Sequence, residues 1–214
     1  MKNKTIILAS GINGGINSSL VKNAEKYFEK YNYNILKVDF FRKRNGAIFS
    51  FLDYNNYLEK ELKKYKNKNT ELIFIGHSFS SLVFLNFILS QEIKNSYKII
   101  LWDPSLAEEL NIWIKKEFVL RKDKQDFYSK KEKISLNKDL VLELKKINSK
   151  NKFSEINKEI CIIVADKGAV KNGKYLNKIF KYSKLETIKD ADHVFSSKKS
   201  KKLLFEKTKN FIDN

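Results

Sequence analysis

A chain of 214 residues, 42% of them hydrophobic, can bury one substantial core, and residues 1–214 are expected to form a single domain. Its richest apolar run, SLVFLNFIL, is about half the ~20 residues a membrane-spanning helix requires. The formal charge of +18 is carried almost wholly by lysine, with only Arg42, Arg44 and Arg121 as exceptions, so a solvated surface is expected rather than a specific nucleic-acid site.

In chain order, apolar strand-like runs alternate with stretches of helical period. TIILAS leads to a helix around Ser18–Tyr31 and then to the strand YNILKVDF. NNYLEKELKKYK reads as a second helix before the strand ELIFIGHS, and SSLVFLNFILSQ follows at once, apolar around most of its circumference as a buried helix would be. Then come YKIILWDPS, a long Lys-rich segment, and the strand EICIIVADKG. A helix near Tyr175–Lys181, a short strand KLETIKD and the helix KSKKLLFEKTKNFID close the chain. This alternation predicts an α/β fold with a mostly parallel sheet covered on both faces. Residues 105–158 interrupt the rhythm with helical patterns, LAEELNIWIKKEFVL and LNKDLVLELKKIN, and no evident strand. An insertion of that size is expected to be a lid or cap. TIILA is too short for the core of a signal peptide, and one cysteine, Cys161, excludes an internal disulfide. Both point to the cytoplasm.

The most informative segment is LIFIGHSFSSLVFLNFI. A strand ends at Gly76-His77-Ser78-Phe79-Ser80 and a helix begins without a loop, a turn that lifts a serine above the sheet. The alternative reading is an ordinary helix N-cap at Ser78. A nucleophilic serine needs a base, and the only histidines are His77 and His193. His77 neighbours Ser78, so its ring diverges from the hydroxyl, which leaves His193 in KDADHVFSS.

With these residues the chain resembles the α/β-hydrolase superfamily, whose nucleophile elbow reads G-x-S-x-G; here Ser80 stands at the last glycine. The resemblance covers nearly all of the chain except the insertion. It implies the α/β-hydrolase fold without its first two strands, with a helical lid inserted before the acid-bearing strand. It also implies a triad of Ser78, Asp166 and His193, because Asp166 follows an apolar strand and precedes a glycine turn as the superfamily's acid does. Asp103, after KIILW, is the alternative acid, since some members carry it one strand earlier. Both aspartates are also ordinary candidates for strand-end turns.

The glycine loop SGINGG admits two readings. Gly11, Gly14 and Gly15 do not match the G-x-G-x-x-G spacing of a dinucleotide cradle. The resemblance instead implies an oxyanion hole formed by the Ile12 and Phe79 amides, with Asn13 as an alternative donor and a plain Gly-Asn turn as the bland reading. It further implies a serine hydrolase acting on a carboxylic ester or, second, a thioester, with no organic cofactor. No metal is implied, because two histidines and one cysteine make no ligand cluster. The expected partner is a small-molecule acyl substrate, with Trp113, Phe118 and Phe127 as candidate pocket aromatics and the lysines of the insertion favouring an anionic one. The lysine excess also predicts weak attraction to anionic surfaces. Two other classes stay open: an inactive binding or interaction protein on the same fold, and a basic nucleic-acid-binding protein for which no motif speaks.

Overall fold

The computed structural model describes residues 3–12, 14–40, 43–44, 47–48, 50–65, 69–147 and 149–214. Strand β1 (Asn3–Ala9) leads to α1 (Ser19–Glu29) and β2 (Asn34–Val38). The short strands β3 (Lys43–Arg44) and β4 (Ala47–Ile48) precede α2 (Phe51–Leu62). Then β5 (Thr70–His77) runs directly into α3 (Phe79–Ser90), followed by β6 (Tyr97–Trp102) and α4 (Ala107–Glu117). Three strands come next, β7 (Val119–Arg121), β8 (Asp126–Ser129) and β9 (Ile134–Asn137), then α5 (Lys138–Lys146) and α6 (Ser149–Phe153). The chain ends with β10 (Ile160–Lys167), α7 (Val170–Ile179), β11 (Ser183–Asp192) and α8 (Lys198–Asp213).

Six strands form one sheet in the order β11-β10-β6-β5-β1-β2, every neighbouring pair parallel. The apolar runs read as strands are these six, and the α/β architecture expected from their alternation is what the chain adopts. Both faces of the sheet are covered, so its inner strands are rich in consecutive apolar residues rather than alternating, while the edge strands β2 and β11 are more polar. On one face Ile6, Leu8, Ile73, Ile75, Ile100 and Ile163 are buried with residues of α1 and α8. On the other, Ile7, Phe74, Ile99 and Ile162 are buried with α2, α3 and α7. Helix α3 lies within this second core for all but its last turn, which is why its sequence shows no polar face: Phe79 to Ile88 are all buried.

Residues 105–158 depart from the expectation of a purely helical insertion. They hold α4, α5 and α6, but also the antiparallel strands β7, β8 and β9. These belong to a five-stranded sheet, order β3-β4-β9-β8-β7, so a segment from the loop after β2 joins the insertion through the parallel pair β4 and β9. Leu106, Leu110, Ile114, Leu136, Leu140 and Phe153 are buried in the same core as α2 and α3. Half-buried polar ties add to this: Glu143 accepts the Phe51 amide at the start of α2, and Lys152 donates to Asn86 in α3.

Two helices start earlier than their periodicity predicts. Helix α2 begins at Phe51 because Ser50 and Asp53 form a reciprocal capping box, each side chain accepting the other's backbone N–H. Helix α7 begins at Val170 rather than near Tyr175, directly after the Gly168 turn. Among the described residues, no helix is long and apolar enough to cross a membrane.

Candidate active site

The register of the parallel sheet sets the site. Ala9 pairs with Gly76, and His77 pairs with Trp102, so the residues just beyond the strand ends emerge side by side. Gly11 follows β1, Ser78 follows β5 and Asp103 follows β6, all at the carboxyl edge, where open α/β sheets place their ligand sites.

Ser78 has φ 56° and ψ −121°, a conformation that costs a non-glycine residue of order 1–3 kcal/mol. Several neighbours hold it there. Its amide donates to the Trp102 carbonyl, its carbonyl accepts the Ser81 and Ser105 amides, and it makes no side-chain cap to α3. Gly76 is required, since a Cβ there would lie 2.7 Å from the Ser81 nitrogen. Ser80, at the position where the superfamily's elbow has glycine, is fully buried and fully used. Its oxygen accepts the His77 amide at 2.8 Å, and its proton goes to the Ala9 or His77 carbonyl, both 2.9 Å away. A small residue was expected there; a small hydroxyl also ties the elbow to β1.

His193 follows β11 directly. Its Nε2 is 3.1 Å from Ser78 Oγ and its Nδ1 is 2.5 Å from an Asp103 carboxylate oxygen. Asp103, wholly buried, also accepts the Ala165 amide at 3.0 Å and the Ala169 amide at 2.9 Å. This corrects the expectation that Asp166 would meet the imidazole. Asp166 stands beside the backbone of the histidine segment, accepting the Ala191 amide at 3.0 Å. Hydrogen bonds from the Asp190 and Ala191 amides hold its carboxyl below the usual carboxylate range. The glycine turn that made Asp166 resemble an acid loop serves the other aspartate: a Cβ on Gly168 would fall 2.1 Å from an Asp103 carboxylate oxygen. Sequence order ranked the two aspartates by the loop that follows each, whereas their hydrogen bonds separate them: Asp103 meets the imidazole and Asp166 the backbone before it. Strand β6 lies next to β5, and β10 lies one strand further away.

His77 turns away from the Ser78 hydroxyl, as its place in the elbow implies. Its Nε2 lies 2.8 Å from the His193 carbonyl oxygen, so that nitrogen carries the proton and donates. Nδ1 is buried without a partner among the described residues. Burial, with His193 nearby, lowers the His77 pKa to about 4, so the ring is neutral. The sequence contained no signal for this strap, because the partner is a backbone carbonyl more than a hundred residues away.

Two cavities meet at His193, and Ser78 lines the first of them. This one, of about 470 Å³, is lined by Ser10, Gly11, Ile12, Ser18, His77 and Lys201 as well as Ser78 and His193. A Cβ on Gly11 would sit 3.0 Å from Ser78 Cβ, so glycine is what brings this loop so close. Phe79 opens α3, and the amide of a first helical residue has no carbonyl partner inside its helix. Asn13 lies outside the described residues. The second cavity, of about 340 Å³, is lined by Ser105, Glu109, Leu110, Trp113, Gly168 and His193. Of the three candidate pocket aromatics, Trp113 lines it; Phe118 is buried behind, edge-on to Trp113 at 4.7 Å, and Phe127 packs against the main core. Cys161 is buried near the start of β10, away from the site edge, and burial pushes its thiol up to about 12, which removes it as a nucleophile. No group of three or more His, Cys, Asp and Glu among the described residues is arranged to hold a metal ion.

No family model and no curated protein sequence matches the chain. Solved structures do. The chain is similar to Est1E from Butyrivibrio proteoclasticus, with a TM-score of 0.77 at 15% identity over 98% of this chain and 86% of that one. It is similar to the esterase domain of a Rhodothermus marinus protein, with a TM-score of 0.76 at 13% identity over 98% and 85%. A lipase-esterase related protein from Clostridium acetobutylicum gives a TM-score of 0.69 at 18% identity over 97% and 94%. Together with the sheet order and the elbow, these likenesses define the class of molecule: the chain has the α/β-hydrolase fold.

Proposed function

We propose that this chain is a serine hydrolase that cleaves carboxylic esters through an acyl-enzyme on Ser78. The observation that carries the reading is the hydrogen-bonded series from Ser78 Oγ through His193 to buried Asp103, set on an elbow whose backbone is strained. His193 takes the Ser78 proton as Oγ attacks the ester carbonyl carbon, then gives it to the departing alcohol. Asp103 holds the imidazole in the tautomer that leaves Nε2 free and stabilises the imidazolium. The Ile12 and Phe79 amides receive the oxyanion; donors of this kind are worth ~3–4 kcal/mol each. Water then hydrolyses the acyl-enzyme with the same histidine as base.

The esterase and lipase-related structures similar to this chain support ester cleavage, and ferulic acid bound to Est1E supports a small-molecule substrate. A thioester is the second substrate class by the same chemistry. Lys201 at the rim of the larger cavity, with the lysines of the insertion, favours an anionic one. Residues 105–158 act as the cap, contributing Ser105, Leu110 and Trp113 to the second cavity. A single unpaired cysteine fits a reducing cytoplasm. A hydrogen-bonded serine, histidine and carboxylate argue against an inactive binding module.

A fluorophosphonate probe tests the reading directly. Labelling should fall on Ser78 and disappear in Ser78→Ala and His193→Ala. Folded wild-type protein that takes no label overturns the proposal.

A further inference from the structure

The Ser78 hydroxyl has a second partner that the triad does not require. Ser105 Oγ lies 3.1 Å from Ser78 Oγ, the same separation as His193 Nε2 on its other side. The proton on Ser78 belongs to the bond toward His193, because that is the bond along which the base must take it. Ser105 therefore donates to Ser78 Oγ. The position of Ser105 is fixed by backbone bonds as well. Its amide donates to the Ser78 carbonyl at 3.3 Å, and the preceding Pro104 carbonyl accepts the buried Asn172 side chain at 3.1 Å. Ser105 and His193 line one cavity, distinct from the one that Ser78 shares with Gly11, Ile12 and His193.

Resting on the acyl-enzyme reading above, we propose that Ser105 is a further catalytic residue: with His193 it holds the water that hydrolyses acylated Ser78. Once Ser78 is acylated, its Oγ is an ester oxygen, a much poorer acceptor than a hydroxyl, and the Ser105 hydroxyl is released. A water in the shared cavity then gives one hydrogen bond to His193 Nε2 and the other to Ser105 Oγ, leaving a lone pair for the acyl carbon. The water oxygen bonds to that carbon as its proton passes to His193. The carbon–Oγ bond then breaks, His193 returns the proton to Ser78 Oγ, and the carboxylic acid leaves.

A carbamoylating ester separates the two half-reactions, because carbamoyl-enzymes form readily and hydrolyse slowly. Wild-type protein and Ser105→Ala are treated with a p-nitrophenyl carbamate. Carbamoylation is followed by p-nitrophenol release, and decarbamoylation by loss of the adduct mass after removal of reagent. The expected result is carbamoylation within about threefold of wild type and decarbamoylation slowed at least about tenfold, the scale of a lost positioning contact in proton-transfer catalysis. Near-normal carbamoylation also reports a folded site. Equal slowing of both steps, or of neither, overturns the role assigned to Ser105. Failure of the wild-type protein to form any adduct at Ser78 overturns the acyl-enzyme reading itself.

Discussion

His193 is held by two regions of the molecule that treat it differently. The end of β6 acts on the ring: Asp103, wholly buried, meets Nδ1 and is itself gripped by the Ala165 and Ala169 amides. The ends of β10 and β5 act on the backbone around it: Asp166 accepts the Ala191 amide, and His77 donates to the His193 carbonyl. Two aspartates at neighbouring strand ends thus meet different parts of one segment, Asp103 the ring of His193 and Asp166 the backbone before it. What separates them is the register of strands that lie far apart in the chain. Trp102 pairs with His77, so Asp103 emerges beside Ser78, whereas Lys167 pairs with Asp192 and turns Asp166 toward the histidine's own segment.

The largest expected effect follows from that contrast. Asp103→Asn keeps the shape but favours the wrong imidazole tautomer, and should lower kcat on a p-nitrophenyl ester by about 10⁴-fold. A loss of that size in Asp166→Asn instead would reverse the assignment. Gly168→Ala comes next. Its new methyl would fall 2.1 Å from an Asp103 oxygen, so the carboxylate must move. A displacement of that kind is expected to lower kcat roughly 100-fold. Ala at this position with full activity would mean that the Asp103 grip is dispensable.

The same contrast shows what the amino-acid sequence carried. The six core strands, the elbow and the histidine at the end of β11 were legible because each is a local pattern: an apolar run, a Gly-His-Ser turn, a histidine between strand and helix. The position of Asp103 beside the imidazole was not, since it depends on the register of strands far apart in the chain. The strands of residues 105–158 were missed for a local reason. Strands β7, β8 and β9 have only three or four residues, and their turns use left-handed Gln125 (φ 53°) and Lys133 (φ 54°) where glycine or asparagine would have announced a hairpin. Ser105 gave no signal because its partner is 27 positions away.

His77 allows the backbone side of the comparison to be tested through stability. Its pKa falls from 6.5 to about 4 on folding, so the unfolded chain binds the extra proton between those values and stability declines as pH drops through that window. From pH 7 to pH 5 the decline from this group is about 2 kcal/mol. His77→Gln keeps a donor for the His193 carbonyl but cannot titrate. Urea unfolding at the two pH values should therefore show a smaller loss in the variant than in wild type. Equal losses would mean that His77 is not held neutral by burial.

The smallest effect is expected at Asp166. An amide in Asp166→Asn still presents an oxygen to the Asp190 and Ala191 amides, and the ring Nδ1 is met by Asp103, so only the charge on those hydrogen bonds is lost. The site is exposed, where water replaces much of what a carboxylate contributes, and kcat should stay within about threefold of wild type. Asp166→Ala removes the acceptor as well, so its effect exceeds that of Asn if anchoring matters and equals it if only charge does. Both variants should take a fluorophosphonate label at Ser78 at close to the wild-type rate, since Asp103 still faces Nδ1. If Asp166→Asn instead lost labelling while Asp103→Asn kept it, the ring would have to be served from β10 in solution, and the register argument would fail with it.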